Sequence, residues 1–313
     1  MKEFLQVFPR LTVEDDLLSP FLANQLSLQT KRAYRSDLLA FFSYVGFQDP
    51  HSITPEVVIA YRNRIARFDE QGNLLNASTV ARKLSSLRSF FAYLVRLGIL
   101  ERNPADSKLV RSPKLPTESR TQGLTIPQAQ ALLEAVDRST LLGKRDYAIL
   151  SLMLHLGLRR AEIAAIKIGD FGEARGYVTL TVKGKGSRRR TLPLKPEIVR
   201  AIEEYRCSSG RDFASPETPL FSPLWNNRTK ELHRPLSTDE IWRIVKKYAK
   251  RAGIQKPISP HSLRHTAITL ALDAGASYRQ VQMMSGHADP KTVCRYGRGK
   301  DNLDQNATHY IRL

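Results

Sequence analysis

Cysteine is nearly absent from this sequence. There are two in 313 residues, Cys207 and Cys294, far apart and in no metal-ligand spacing. That excludes a disulfide scaffold and a cysteine-based zinc site, and it fits a reducing, cytoplasmic setting. Long apolar runs are missing too, so no segment reads as a membrane helix. The opening M-K-E-F-L-Q-V-F-P-R has no apolar core suited to a signal peptide. No internal repeat or low-complexity stretch interrupts the chain. Negative charge is short: 30 Asp and Glu face 49 Lys and Arg, a net charge of +19. A basic excess of this size points to a polyanion, first of all nucleic acid. An anionic membrane surface fits less well, because no basic amphipathic helix with a bulky apolar face stands out.

The charge is unevenly placed. Residues 1–122 carry 17 basic against 12 acidic side chains, and residues 123–313 carry 32 against 18. Helical spacing of apolar residues starts near Phe21. It continues through Tyr34, Leu38, Phe41 and Phe42 to Gly46, from Thr54-Pro55 through Tyr61 and Ile65, and from Ser78 or Thr79 through Leu84, Leu87 and Phe91 to Gly98. Residues 1–110 therefore read as a bundle of about four helices. Its polar faces offer Arg82, Lys83 and Arg88 as DNA-backbone contacts; an ordinary solvated helix face explains any one of them as well. Residues 111–122, with two prolines and no apolar period, read as a linker. Residues 123–313 form the second domain. It opens on a capped helix at Thr125 and a nearly all-apolar helix over about Lys144–Leu156. Tyr177–Lys183 and Arg188–Leu194 alternate as strands joined through Gly184-Lys185-Gly186. Further helices are expected at about Pro196–Arg206 and Ser237–Ala252, from Ser259-Pro260 to Gly275, over Ser277–Met284, and from Pro290. The fold class is mainly α in two domains, the second α+β with a small antiparallel sheet.

Four short motifs carry chemistry. They are Gly157-Leu158-Arg159 with Glu162 three residues on, Lys185 in the hairpin, His261 and Arg264 in H-x-x-R, and Gly286-His287 with Tyr296 nine residues later. Ser259 and Pro260 open the helix that carries His261 and Arg264. Its first turn offers positive potential and unpaired N–H groups that suit a phosphate. His261 and His265, four apart, would suit a metal face. No glutamate stands in the metalloprotease position, however, and no cysteine lies near, so no metal is expected. Each motif alone is weak.

Taken together and in this order, they resemble the tyrosine recombinase (phage integrase) family, and the Xer-like members in particular. That family carries G-L-R-x-x-E, a lysine in a β-hairpin, H-x-L-R-H, and L-G-H followed by a tyrosine. This chain departs from the pattern only at Ser285, which replaces the leucine. The resemblance implies an N-terminal helical core-binding (SAM-like) domain and a C-terminal catalytic domain. It also implies a site-specific recombinase that cleaves and rejoins DNA through a 3′-phosphotyrosine and a four-way junction. Tyr296 would be the nucleophile. A free phenol titrates near pH 10, so it needs a proton acceptor, for which His261 stands ready. Arg159 and Arg264 would clamp the non-bridging oxygens with forked donors, and His287 would add a further donor. Lys185 would protonate the leaving oxygen, and Glu162 would orient a neighbour. Lys183 is the rival lysine and Tyr310 the rival tyrosine. Arg188 and Arg189 are further DNA-contact candidates. No cofactor is implied. The partners implied are double-stranded DNA with a specific site and a homo- or hetero-tetramer joined through a tail carrying Leu303, Tyr310 and Ile311. A type IB topoisomerase-like enzyme and a non-catalytic DNA-binding protein are the alternatives.

Overall fold

The computed structural model describes residues 17–46, 49–67, 75–114, 122–184, 188–210, 214–224, 234–287, 289–294 and 296. Lys185, Tyr310 and the other tail residues beyond Tyr296 lie outside them. The chain divides into two compact units, Met1–Pro116 and Thr117–Leu313.

The first unit is helical: α1 (Ser19–Ala23), α2 (Leu28–Val45), α3 (Pro55–Arg67) and α4 (Ala77–Arg96). Ser27 caps α2 by accepting from the Thr30 amide, and Gly46 ends it at φ +75°. Apolar residues at helical spacing converge on an aromatic core. Phe41 meets Tyr61 and Phe91 edge to face, and Phe42 meets Phe90 in the same way. One carboxylate is buried there: Asp37 of α2 accepts from Arg82 and from Ser86 Oγ (2.7 Å) of α4, with Lys83 Nζ at 3.7 Å. Arg88 differs from a solvated helix-face residue. Its guanidinium donates to the carbonyls of Ala105 (3.0 Å) and Val110 (2.6 Å) and to Ser112 Oγ, so it braces α4 against the segment that follows.

The second unit contains α5 (Ile126–Glu134), α6 (Leu141–Leu156), α7 (Arg160–Ala165), strands β1 (Phe171–Ala174), β2 (Tyr177–Lys183) and β3 (Arg189–Pro193), then α8 (Pro196–Ser208), α9 (Thr238–Arg251), α10 (Pro260–Asp273), α11 (Tyr278–Ser285) and α12 (Pro290–Cys294). α6 is the central helix. It is buried almost all round, as its apolar sequence requires, and packs on α8 and α10. The sheet is antiparallel in the order β1-β2-β3. β1 and α7 were not expected from sequence. β1 (F-G-E-A) is mostly exposed and has no alternation to read, and α7 is only six residues long. In the β2–β3 register, Val182 faces Arg190 and Leu180 faces Leu192. Side chains alternate across a strand, so Arg190 shares the buried face with Leu192, while Arg189 and Thr191 face the other way. No described helix is long and apolar enough to cross a membrane.

Candidate active site

α6 ends at Gly157, whose φ of +60° closes the helix and turns the chain toward Arg159. The Gly157 carbonyl accepts from Arg264 Nη1 at 2.6 Å. Arg159 sits at the N-cap of α7. Its backbone N–H donates to Glu162 Oε2 (2.9 Å) and its Nη1 to Glu162 Oε1 (2.8 Å). Its Nη2 reaches the Gly286 carbonyl at 3.4 Å. Glu162 is 5% exposed and also receives both terminal nitrogens of Arg190. Burial alone would raise its pKa. The bonds from Arg190 and the Arg159 backbone outweigh that, so the carboxyl stays below its ordinary value and remains charged.

Arg264 is the largest fully buried side chain of the described residues, 2% exposed. Its Nη2 donates to the Ser285 carbonyl (2.8 Å) and to His287 Nε2 (2.9 Å). Burial, then the neighbouring Arg159, lower its pKa to about 10, which still leaves it charged at neutral pH. His287 is pushed down to about 4 by burial first and then by Arg264 and Arg159. A neutral His287 resolves its own tautomer. Nε2 must accept from Arg264, so Nδ1 carries the hydrogen and donates to Ser285 Oγ at 2.8 Å. Ser285, the departure from the leucine of the resembled motif, is fully buried and holds His287 from the far side. In this state His287 accepts where sequence reasoning cast it as a donor, because the guanidinium faces its Nε2.

His261, in the first turn of α10, keeps solvent contact while it lines a cavity of about 310 Å³ with Arg159, Arg160, Trp242, Ser259 and Arg264. The surrounding protein, ahead of the charges of Arg264 and Arg159, holds its pKa below the ordinary histidine value. Being neutral, it can accept a proton. Tyr296 follows α12 and is 6% exposed. Its ring lies 4.9 Å from that of His265 and 5.8 Å from that of His287. His265 is buried with Nδ1 at 3.2 Å from Thr269 Oγ1, and among the described residues no cluster of His, Cys, Asp or Glu suits a metal.

Around Glu162 the described residues thus set the guanidinium groups of Arg159, Arg190 and Arg264 near one carboxylate, with His261 and His287 kept neutral. Directed N–H donors in excess over carboxylates are an arrangement suited to an anion. Arg159, Glu162, His261, Arg264, His287 and Tyr296 are brought together from four separate segments. Lys183 is exposed at the end of β2 opposite Arg189, on the face away from Arg190. Arg188 and Arg189 are also exposed. Sequence reasoning missed Arg190, Arg160 and Trp242. For Arg190 the signal was present: it stands two residues before the inward Leu192, on the buried face of an alternating strand.

Residues 122–302 match the phage integrase family, and residues 20–98 match the phage integrase N-terminal SAM-like domain. The chain is 38% identical over 274 residues to tyrosine recombinase XerC of Pelobacter propionicus, covering 87% of this chain and 85% of that protein. It is 33% identical over 291 residues to tyrosine recombinase XerD of Listeria monocytogenes serotype 4b, covering 91% and 92%. In fold it is similar to the XerH site-specific recombinase bound to palindromic difH substrate, with a TM-score of 0.72 at 20% identity over 91% of this chain and 80% of that one.

Proposed function

This chain belongs to the phage integrase family and is a tyrosine recombinase, a site-specific DNA strand transferase; from that premise we propose how its centre works. The Tyr296 oxygen attacks the scissile phosphorus as His261 takes the phenolic proton. Arg159 and Arg264 hold the non-bridging oxygens, where charge builds in the five-coordinate transition state. The bond from phosphorus to the 5′ oxygen breaks, and that oxygen takes a proton from Lys185. The product is a 3′-phosphotyrosine and a 5′-hydroxyl strand. Attack by the 5′ hydroxyl of a second duplex reverses the step and exchanges strands through a four-way junction. The phosphodiester energy is conserved in the tyrosine ester, so no ATP is needed.

The observation that supports this best is the convergence of Arg159, His261 and Arg264 on one cavity, with Tyr296 packed beside the His287 that Arg264 holds. The test uses a nicked duplex carrying a half-site selected from random-sequence DNA by the Tyr296→Phe protein, with chelator present. Wild-type protein is expected to form a slow-migrating adduct on a denaturing gel, and Tyr296→Phe none despite equal binding. An adduct from Tyr296→Phe at normal yield would sink the assignment.

Double-stranded DNA at the nucleoid in the cytoplasm is the substrate, contacted by Arg82, Lys83, Arg188 and Arg189 in addition to the clamp. Four copies act together. A groove of about 1300 Å³ beside β3 and α11, lined by Tyr177, Leu192, Val199, Ala276, Met283 and Met284, receives the 17 residues after Tyr296 of a second copy. That tail supplies Leu303, Tyr310 and Ile311 to an apolar surface. Deleting residues 297–313 is expected to leave half-site binding intact and to remove tetrameric complexes on native gels.

A further inference from the structure

Arg190, which the sequence motifs do not single out, is tied into the centre by three side-chain hydrogen bonds. Its Nη1 and Nη2 donate to the two oxygens of Glu162 at 3.0 and 2.9 Å, and its Nε donates to the Met284 carbonyl at 3.0 Å. The side chain is 13% exposed. Two neighbouring glycines are shaped around it. A Cβ on Gly286 would lie 2.7 Å from Arg190 Nη1 and 2.9 Å from its Cζ, so a side chain here would push the guanidinium from its place, in addition to the strain of a φ of +66°. Gly184 lies over the same ion pair: its Cβ position is 3.5 Å from Arg190 Nη1 and 3.7 Å from Glu162 Oε1.

Each partner of Arg190 leads to a residue that faces the cavity. Glu162 holds Arg159 by both its backbone and its guanidinium. The turn from Met284 to His287 holds Arg264 through the Ser285 carbonyl and His287 Nε2. Arg159 itself reaches the Gly286 carbonyl of that turn. One planar fork therefore spans the two supports of the clamp. A lysine cannot reproduce it, since one ammonium cannot reach both carboxylate oxygens and the carbonyl in fixed directions.

We propose that Arg190 is a positioning residue of the phosphate clamp, setting the distance between Glu162 with its Arg159 and the Met284–His287 turn with its Arg264. It does not touch DNA. The inference rests on the reading of Arg159 and Arg264 as the clamp. A misplacement of about 1 Å in such a pair costs on the order of 100-fold in rate, with little effect on binding.

The test compares cleavage of two half-site duplexes, one with an ordinary scissile phosphate and one with a neutral methylphosphonate there. The neutral group develops less charge and needs the arginines less. Arg190→Ala is expected to cleave ordinary DNA about 100-fold more slowly at unchanged half-site affinity, and to come within about threefold of wild type on the neutral DNA. Arg190→Lys should fall between. An equal loss on both DNAs, or no loss on either, overturns the inference. Arg159→Ala is the control. If its defect is not relieved on neutral DNA, the clamp reading fails; if it is relieved and that of Arg190→Ala is not, the positioning role fails. Should Arg190→Ala not fold, Arg190→Lys combined with Glu162→Gln answers the same question. Losses no greater than the worse single change support the shared path, and additive losses overturn it.

Discussion

Two buried charge clusters in the second unit look alike at first and differ in what they leave for a ligand. Around Asp146, 1% exposed, Arg145 donates Nε and Nη2 to Oδ1, Tyr248 donates its hydroxyl to Oδ2 at 3.0 Å, and Lys247 lies at 3.4 Å. Arg145 spends a further nitrogen on the Ser222 carbonyl. Burial and the Asp146 carboxylate drive the Tyr248 pKa well above the ordinary phenol value, so this tyrosine is locked as a hydrogen-bond donor. Around Glu162 the cations are arranged differently. Arg159 and Arg190 share one carboxylate, Arg264 beside them is held by the Gly157 and Ser285 carbonyls and His287, and Arg159 and Arg264 line a cavity. A carboxylate whose donors are spent on it tightens a fold, whereas arginines that face a cavity beyond their carboxylate create a demand for an external anion.

The largest expected effect separates the two tyrosines. Tyr248→Phe should give adduct yields close to wild type on the nicked duplex, while Tyr296→Phe gives none. Tyr248→Phe should cost stability instead, about 1–2 kcal/mol by chemical denaturation, because a donor to the buried Asp146 is lost. An adduct lost in Tyr248→Phe and kept in Tyr296→Phe would invert the comparison.

The arginines sharpen it next. Arg264→Lys should slow cleavage by roughly 100-fold or more at unchanged half-site affinity, the scale of removing one directed donor to a transition-state oxyanion. Arg145→Ala should leave the rate per folded molecule unchanged and destabilise the second unit by about 3 kcal/mol, since Asp146 then stays buried with fewer partners. Single-turnover cleavage and denaturant titration read the two effects separately.

How much of this was legible in the sequence follows the same division. Most of the helices were readable because their ends are written in side chains: Thr125, Ser237 and Ser277 cap by hydrogen bonds, and Gly46, Gly157 and Gly286 close with positive φ. The six-residue α7 was not, because its N-cap is an arginine paired to Glu162 rather than a hydroxyl residue. The set Arg159, His261, Arg264, His287 and Tyr296 was picked out by its resemblance to the motifs of the tyrosine recombinase family, in which that chemistry uses those residue types. Arg190 was hidden in a run of three arginines, where charge alone cannot say which one turns inward. Only the register with Val182, and the inward Leu192 two residues later, distinguish it. The same limit concealed Asp146, which reads as a surface residue until Tyr248 and Lys247 arrive from about a hundred positions away.

A smaller effect is expected at Ser285. Ser285→Ala removes the acceptor that fixes the Nδ1–H tautomer of His287. Cleavage should slow by about 3–10-fold, the range of a single neutral hydrogen bond. Ser285→Thr, which keeps the hydroxyl, should restore most of it; equal rates for both variants and wild type would remove Ser285 from the account of the site.

The last contrast is one of pH. His287 has its folded pKa lowered to about 4 and His261 is also lowered, both below the unfolded value near 6.5. As pH falls below about 6.5 the unfolded chain takes up protons that the folded site refuses, so the stability tied to these histidines is full above that pH and drains away toward about 4. Glu240 behaves differently. It caps α9 and pairs with Arg234, and its pKa falls from about 4.5 to about 2, so its contribution is lost only in that lower window. Thermal unfolding midpoints measured from pH 7.5 to 3 should therefore fall in two stages. His287→Gln should flatten the upper stage alone, and Glu240→Gln the lower stage alone. A single carboxylate-range decline in wild type would mean that the anion site does not hold its histidines neutral.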